Sequence, residues 1–130
     1  MAKIHNPASI AAPAGRYSHG VEVPPNARRL YISGQVGIAP DGSIPPDLSG
    51  QVEIAWRNIK AILAEAGMSF ADVVRFNAFV TDRAYFSVYG AVRSRYVAGD
   101  AFASTLVVVA GFTRPEFKIE VEVTAAQAPA

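Results

Sequence analysis

Apolar residues recur along this chain with two different periods. Val52, Ala55, Ile59, Ile62, Leu63 and Ala66 follow one another at three- and four-residue steps, which makes a single stripe along a helix. Asp47 or Ser49 is suited to cap its start, and Gly67 to sit just past its end. A second helix is predicted from a cap at Thr81 or Asp82, with Tyr85, Val88, Tyr89, Val92 and Tyr96 on one face and Gly99 as its stop. Between the helices, Val73, Val74, Phe76, Ala78, Phe79 and Val80 read as a strand. Tyr17 to Val23 reads as a short strand before the turn Pro24-Pro25-Asn26, and Leu30 to Ser33 as the next, ending at Gly34. Asp41-Gly42 is a turn, and Pro45-Pro46 keeps the following residues out of a helix.

Two strands close the chain, and they differ in pattern. Leu106 to Ala110 is a continuous apolar run. In the other, Phe117, Ile119, Val121 and Val123 alternate with Lys118, Glu120 and Glu122. The order ββαβαββ predicts an α+β domain with its helices on one face of a sheet. Those helices can cover one side of Leu106 to Val109. The other side is also apolar, and 130 residues leave no third layer for it, so a second copy of the chain is the expected cover.

The composition fits one globular domain, with 51% hydrophobic and 18% charged residues, and the whole of 1–130 is read as that domain. A net charge of +1 gives no sign of a polyanion partner, so nucleic acid is not expected. Without cysteine there is no disulfide and no thiolate chemistry. No apolar run approaches the ~20 residues that span a bilayer. The start, MAKIHNPASIAAPAG, lacks a basic segment followed by an apolar one and is read as that of a cytoplasmic protein.

Few residues advertise chemistry. His5 and His19 have neither the spacing nor the acidic neighbours of a metal site, so no metal is expected. Gly34-Gln35-Val36-Gly37 lacks the ending of a phosphate loop. Arg28-Arg29 and the pair Arg93 and Arg95 read as solvated basic groups. No Ser-His-Asp arrangement can be argued. Glu120 and Glu122 fall on one strand face; they make either a solvated edge or, for one of them, a carboxylate in a cleft between chains that holds water. Tyr17, near Gly15 and Gly20, is either packing or part of a site that a ligand's approach to the backbone would form.

Gly15-Arg16-Tyr17-Ser18-His19-Gly20, Leu30-Tyr31-Ile32-Ser33-Gly34-Gln35-Val36, the helix ending Ile62-Leu63-Ala64-Glu65-Ala66-Gly67, and Lys118-Ile119-Glu120-Val121-Glu122 resemble the RidA/YjgF group, also called the L-PSP endoribonuclease family, over residues 13–125. The resemblance implies a chorismate-mutase-like fold, a homotrimer whose sheets form a central barrel, and small-molecule sites in the clefts between subunits. It also implies hydrolysis of reactive imines or enamines without metal or cofactor. Carried over, Glu120 is the catalytic glutamate that positions water, and Tyr17, Ser33 and Gly34 are binding residues. The family's substrate-carboxylate arginine, on the penultimate strand, does not carry over: Ser104, in Phe102-Ala103-Ser104-Thr105, takes its place. Tyr89 aligns with a family asparagine. Ser104, Thr105 and Tyr89 are therefore candidate substrate-binding residues, and Arg16 and Arg114 are the nearest substitutes for the arginine. Three readings follow: a hydrolase with an altered substrate, a non-catalytic metabolite-binding trimer, and, ranked last, a ribonuclease.

Overall fold

The apolar stripe of the first helix decides where the core sits. In the computed structural model, which describes residues 2–129, helix α1 spans Leu48–Glu65. Asp47 caps it, its carboxylate accepting from the Gly50 N–H at 2.8 Å. At the other end Gly67 adopts φ +70°, the left-handed conformation glycine enters without steric cost. Met68 N–H then reaches the Leu63 carbonyl at 2.8 Å and Gly67 N–H the Ala64 carbonyl at 3.0 Å. These paired bonds satisfy carbonyls the helix would otherwise leave open.

Around the helix run strands β1 (Lys3–His5), β2 (Gly20–Glu22), β3 (Arg28–Val36), β4 (Val73–Val80), β5 (Ala103–Val108) and β6 (Ile119–Gln127), with helix α2 at Phe86–Arg93. Short 3-10 turns, Phe70–Asp72 and Arg83–Tyr85, lead into β4 and α2. The main sheet has the order β3-β6-β4-β5. Only β4 and β5 run parallel, because α2 carries the chain from one to the other. This is the α+β, chorismate-mutase-like arrangement, with both helices on one sheet face. No helix among the described residues is long and apolar enough to cross a membrane.

Val52, Ala55, Ile59 and Leu63 of the stripe are buried against Phe76, Ala78 and Val80 of β4 and Ile119, Val121 and Val123 of β6. Trp56 is fully buried as well. It meets Phe76 edge-on at 5.5 Å between ring centroids and stacks on Tyr96 at 6.3 Å. Burying a side chain of this size contributes about 1.5–3 kcal/mol.

Four expectations need correction. The first strand is only Gly20–Glu22, and it pairs with Lys3–His5 in a separate ribbon rather than with the main sheet. The segment before it bends, with Tyr17 N–H donating to the Gly15 carbonyl at 3.0 Å. The second helix is short, and Val88 points outward at 39% exposure. The run at Leu106 lies on an edge strand that begins at Ala103 and ends at Val108. Within one chain only its Leu106 packs against the core, while Val107 and Val108 are exposed.

Candidate functional site

The sheet register separates the candidate residues into two groups. On β6, Val121 and Val123 turn to the helices, so Glu120 and Glu122 turn to the open face. Glu120 is aligned through Phe79 with Val107, and Glu122 through Asn77 with Thr105. Glu122 accepts from the Asn77 amide at 3.0 Å and stands exposed beside Arg75 and Tyr31 in a shallow cavity of about 380 Å³. Glu120 is half-buried and lies against β3.

The β3–β6 ladder breaks between Ile32 and Gln35, which leaves Ser33 and Gly34 outside it as a bulge. Gly34 is required there by space. A Cβ at that position would stand 2.0 Å from Glu120 Oε2 and 2.6 Å from Cδ. The Glu120 carboxylate therefore rests on the Gly34 backbone, with Ser33 exposed next to it.

The second group gathers around β5, at the opposite edge of the sheet. Tyr17, Tyr89 and Ser104 line one cavity of about 290 Å³ on the helix side. Tyr17, Ser104 and Thr105 line an adjoining one of about 330 Å³. Tyr17 is held by its phenol, which accepts from Ala14 N–H at 3.3 Å. Ser18, fully buried, ties the segment to the start of β5: its hydroxyl donates to the Asp100 carbonyl at 2.7 Å and its N–H to Phe102 at 2.8 Å. Tyr89 is 3% exposed, and its hydroxyl has no partner. Burial pushes its phenol well above the ordinary range, with Arg93 pulling weakly the other way, so it stays neutral.

Glu120 thus does not meet Ser104 or Thr105 within one chain. They lie on different strands with β4 between them, and Ser104 faces the helices. Arg114 is also remote. It pairs with Glu116 at 2.8 Å and lines a cavity with Phe117 and Lys118. Arg16 does reach the Tyr17 cavity, because the chain bends there. Arg95 pairs with Glu53 at 2.8 Å, whereas Arg93, read from the sequence as solvated, turns inward to the same cavity as Tyr17. Sequence reasoning missed it because neighbouring polar residues at a helix end look alike until the helix is docked. Among the described residues no three His, Asp or Glu side chains are placed to share a metal ion.

A family model described as Endoribonuclease L-PSP matches residues 8–127. The chain belongs to that family, the RidA/YjgF group. The mouse 2-iminobutanoate/2-iminopropanoate deaminase is 30% identical over 129 residues, covering 98% of this chain and 93% of its own. A Rid-family protein from Yersinia pestis superposes with a TM-score of 0.84 at 30% identity, over 97% of this chain and 98% of that one. Escherichia coli TdcF with bound serine superposes with a TM-score of 0.73 at 27% identity, over 97% and 99%. In this RidA-family chain the SG pair of the resemblance is the β3 bulge, and its glutamate is the side chain resting on that bulge.

Proposed function

We propose that this protein is a RidA-like hydrolase of small reactive imines or enamines, with a substrate altered from that of arginine-bearing relatives. The observation that carries the reading is the seating of the Glu120 carboxylate on the Gly34 backbone, half-buried on an open sheet face. A carboxylate fixed in that way can hold a water by accepting its proton. As the water oxygen bonds to the imine carbon, a water proton passes to Glu120, and the C=N π pair moves to nitrogen, which takes a proton from solvent. In the collapse of the adduct Glu120 returns that proton to the nitrogen and the hydroxyl loses its own to solvent, so C=O forms as the C–N bond breaks, and ammonia and the carbonyl product leave. Exposed Ser33 is next to that carboxylate, and Tyr17, Tyr89, Ser104 and Thr105 would hold the body of the substrate.

The two groups of residues sit toward opposite edges of one sheet. A complete site then requires β5 of one copy against the β3–β6 edge of the next. Such a head-to-tail contact closes into a ring, and the expected ring is a homotrimer with the sites in its clefts. The names of the relatives support the chemistry: one is an iminobutanoate deaminase, and another holds serine, a small amino acid.

The test is ammonia release from imines generated in situ, with aliphatic and aromatic 2-imino acids compared. Wild type is expected to accelerate release, and Glu120→Gln to slow it by roughly 100-fold or more. No acceleration of any imine by the wild-type protein overturns the hydrolase reading.

A further inference from the structure

Arg93 is the most unusual charge in the molecule. It leaves α2 at its last turn, and its guanidinium lies over Phe76 at 5.6 Å and Phe102 at 5.7 Å from the ring centroids. Its Nε and Nη1 are sealed from solvent and have no acceptor. No carboxylate faces it in the cavity; the other charged side chain there is Arg16, a second cation. Burial pulls Arg93 below its ordinary range, with Tyr89 opposing and Arg16 adding less to it, although a guanidinium stays protonated in proteins. Buried polar groups are almost always hydrogen-bonded, so a cation left this way, beside an unpartnered Tyr89 hydroxyl, is a site lacking its anion.

The walls describe the rest of that anion. Phe76, Phe86, Tyr89 and Leu106 make them largely aromatic and apolar. A cavity of about 290 Å³ exceeds the ~150 Å³ that suffices for benzene. Gly90 also lines it, and a Cβ there would meet nothing within 4 Å. Glycine inside a helix is disfavoured relative to alanine, and no neighbour here demands one. What its missing side chain leaves is room in the cavity.

We infer that Arg93 is an anion-anchoring residue and that this cavity takes a carboxylate with an aromatic or branched body. The inference rests on the small-molecule site proposed above and specifies one half of it. Arginine recognition is supplied from α2 instead of from β5, and Ser104, in place of a long side chain, leaves space for a larger substrate. A planar fork of N–H donors suits a carboxylate, with the Tyr89 hydroxyl as a further donor after a small adjustment of the ring.

Binding of three non-reacting probes by calorimetry tests it: phenylacetate, phenylacetamide, which keeps the ring but not the charge, and acetate, which keeps the charge but not the ring. Wild type is expected to bind phenylacetate roughly tenfold or more tighter than either other probe. Arg93→Gln should erase the preference for the anion while thermal stability holds or rises, since a half-buried cation without an acceptor is removed. Ser104→Arg added to that variant should restore it. Gly90→Leu, whose Cβ no neighbour opposes, should fold and close the cavity to phenylacetate. The inference is overturned if wild type binds acid and amide alike, if it binds no probe at tens of millimolar, or if Arg93→Gln binds as wild type does. A protein that binds phenylacetate through Arg93 yet hydrolyses no imine would sink the hydrolase reading alone. One that hydrolyses imines with KM untouched by Arg93→Gln would sink this inference alone.

Discussion

Glu120 and Glu122 are two residues apart on one strand face, yet they meet different surroundings. Glu122 is exposed and shares a hydrogen bond with Asn77, so Glu122→Gln should change stability by no more than about 0.5 kcal/mol and leave ligand binding alone. Glu120 depends on Gly34 having no side chain. Gly34→Ala would place a methyl 2.0 Å from Glu120 Oε2, and the carboxylate would have to swing away. Because the obstacle is largely the flexible end of a side chain, the fold should survive with a loss of about 1 kcal/mol, within the usual range for a single substitution. Activity toward imines should fall about as far as in Glu120→Gln. Thermal melts beside turnover measurements separate the two effects, and a Gly34→Ala protein with full activity would detach Glu120 from the chemistry.

Among the elements, α1 is fixed to the last strand by one polar side chain. Gln51 is fully buried on a helix face that is otherwise apolar. Its amide nitrogen donates to the Pro45 carbonyl at 2.9 Å and the Glu116 carbonyl at 2.8 Å, and its oxygen accepts from Lys118 N–H at 2.8 Å. Those bonds join the loop before α1 to the approach to β6, two residues before Glu120. Gln51→Leu keeps the volume but strands three backbone groups. It should cost at least about 2 kcal/mol, read as a lowered midpoint in urea. An unchanged midpoint would mean that water replaces the amide. Nothing in the hydrophobic period of the helix marks this role, since a glutamine reads as a solvent-facing residue until its partners are known.

For the whole molecule, the exposed edge strand β5 carries the consequence. Val107 is 39% and Val108 47% exposed in a single chain, on an edge strand whose outer backbone groups lack a neighbour in the sheet. The proposed trimer covers that edge. Light scattering should give three times the chain mass of 13.8 kDa. Val107→Asp should leave a folded monomer with native circular dichroism, because the side chain is not part of the chain's own core, and ligand binding should weaken with assembly. A wild-type monomer at micromolar concentration would overturn the ring.

The sequence by itself determined most of the main sheet's strands, the first helix and the sides these present. Period 3.6 located α1, with Asp47 or Ser49 offered as its cap and Gly67 as its end, period 2 turned Glu120 and Glu122 together to one face, and short motifs placed the chain in its family. Those signals are local, and a few consecutive residues suffice to set them. The tertiary structure alone decided what depends on distant segments meeting. It made the Leu106 run an edge strand parallel to β4, paired the first strand with Lys3–His5, and split the candidate residues between two sheet edges. It also told Arg93 from Arg95, two residues of one type at the end of α2. One reaches Glu53 near the surface. The other lies over Phe76 and Phe102, rings contributed by β4 and by the residue just before β5. Whether a charge is solvated or buried without a partner is a property of what packs around it, and no pattern along the chain contains that.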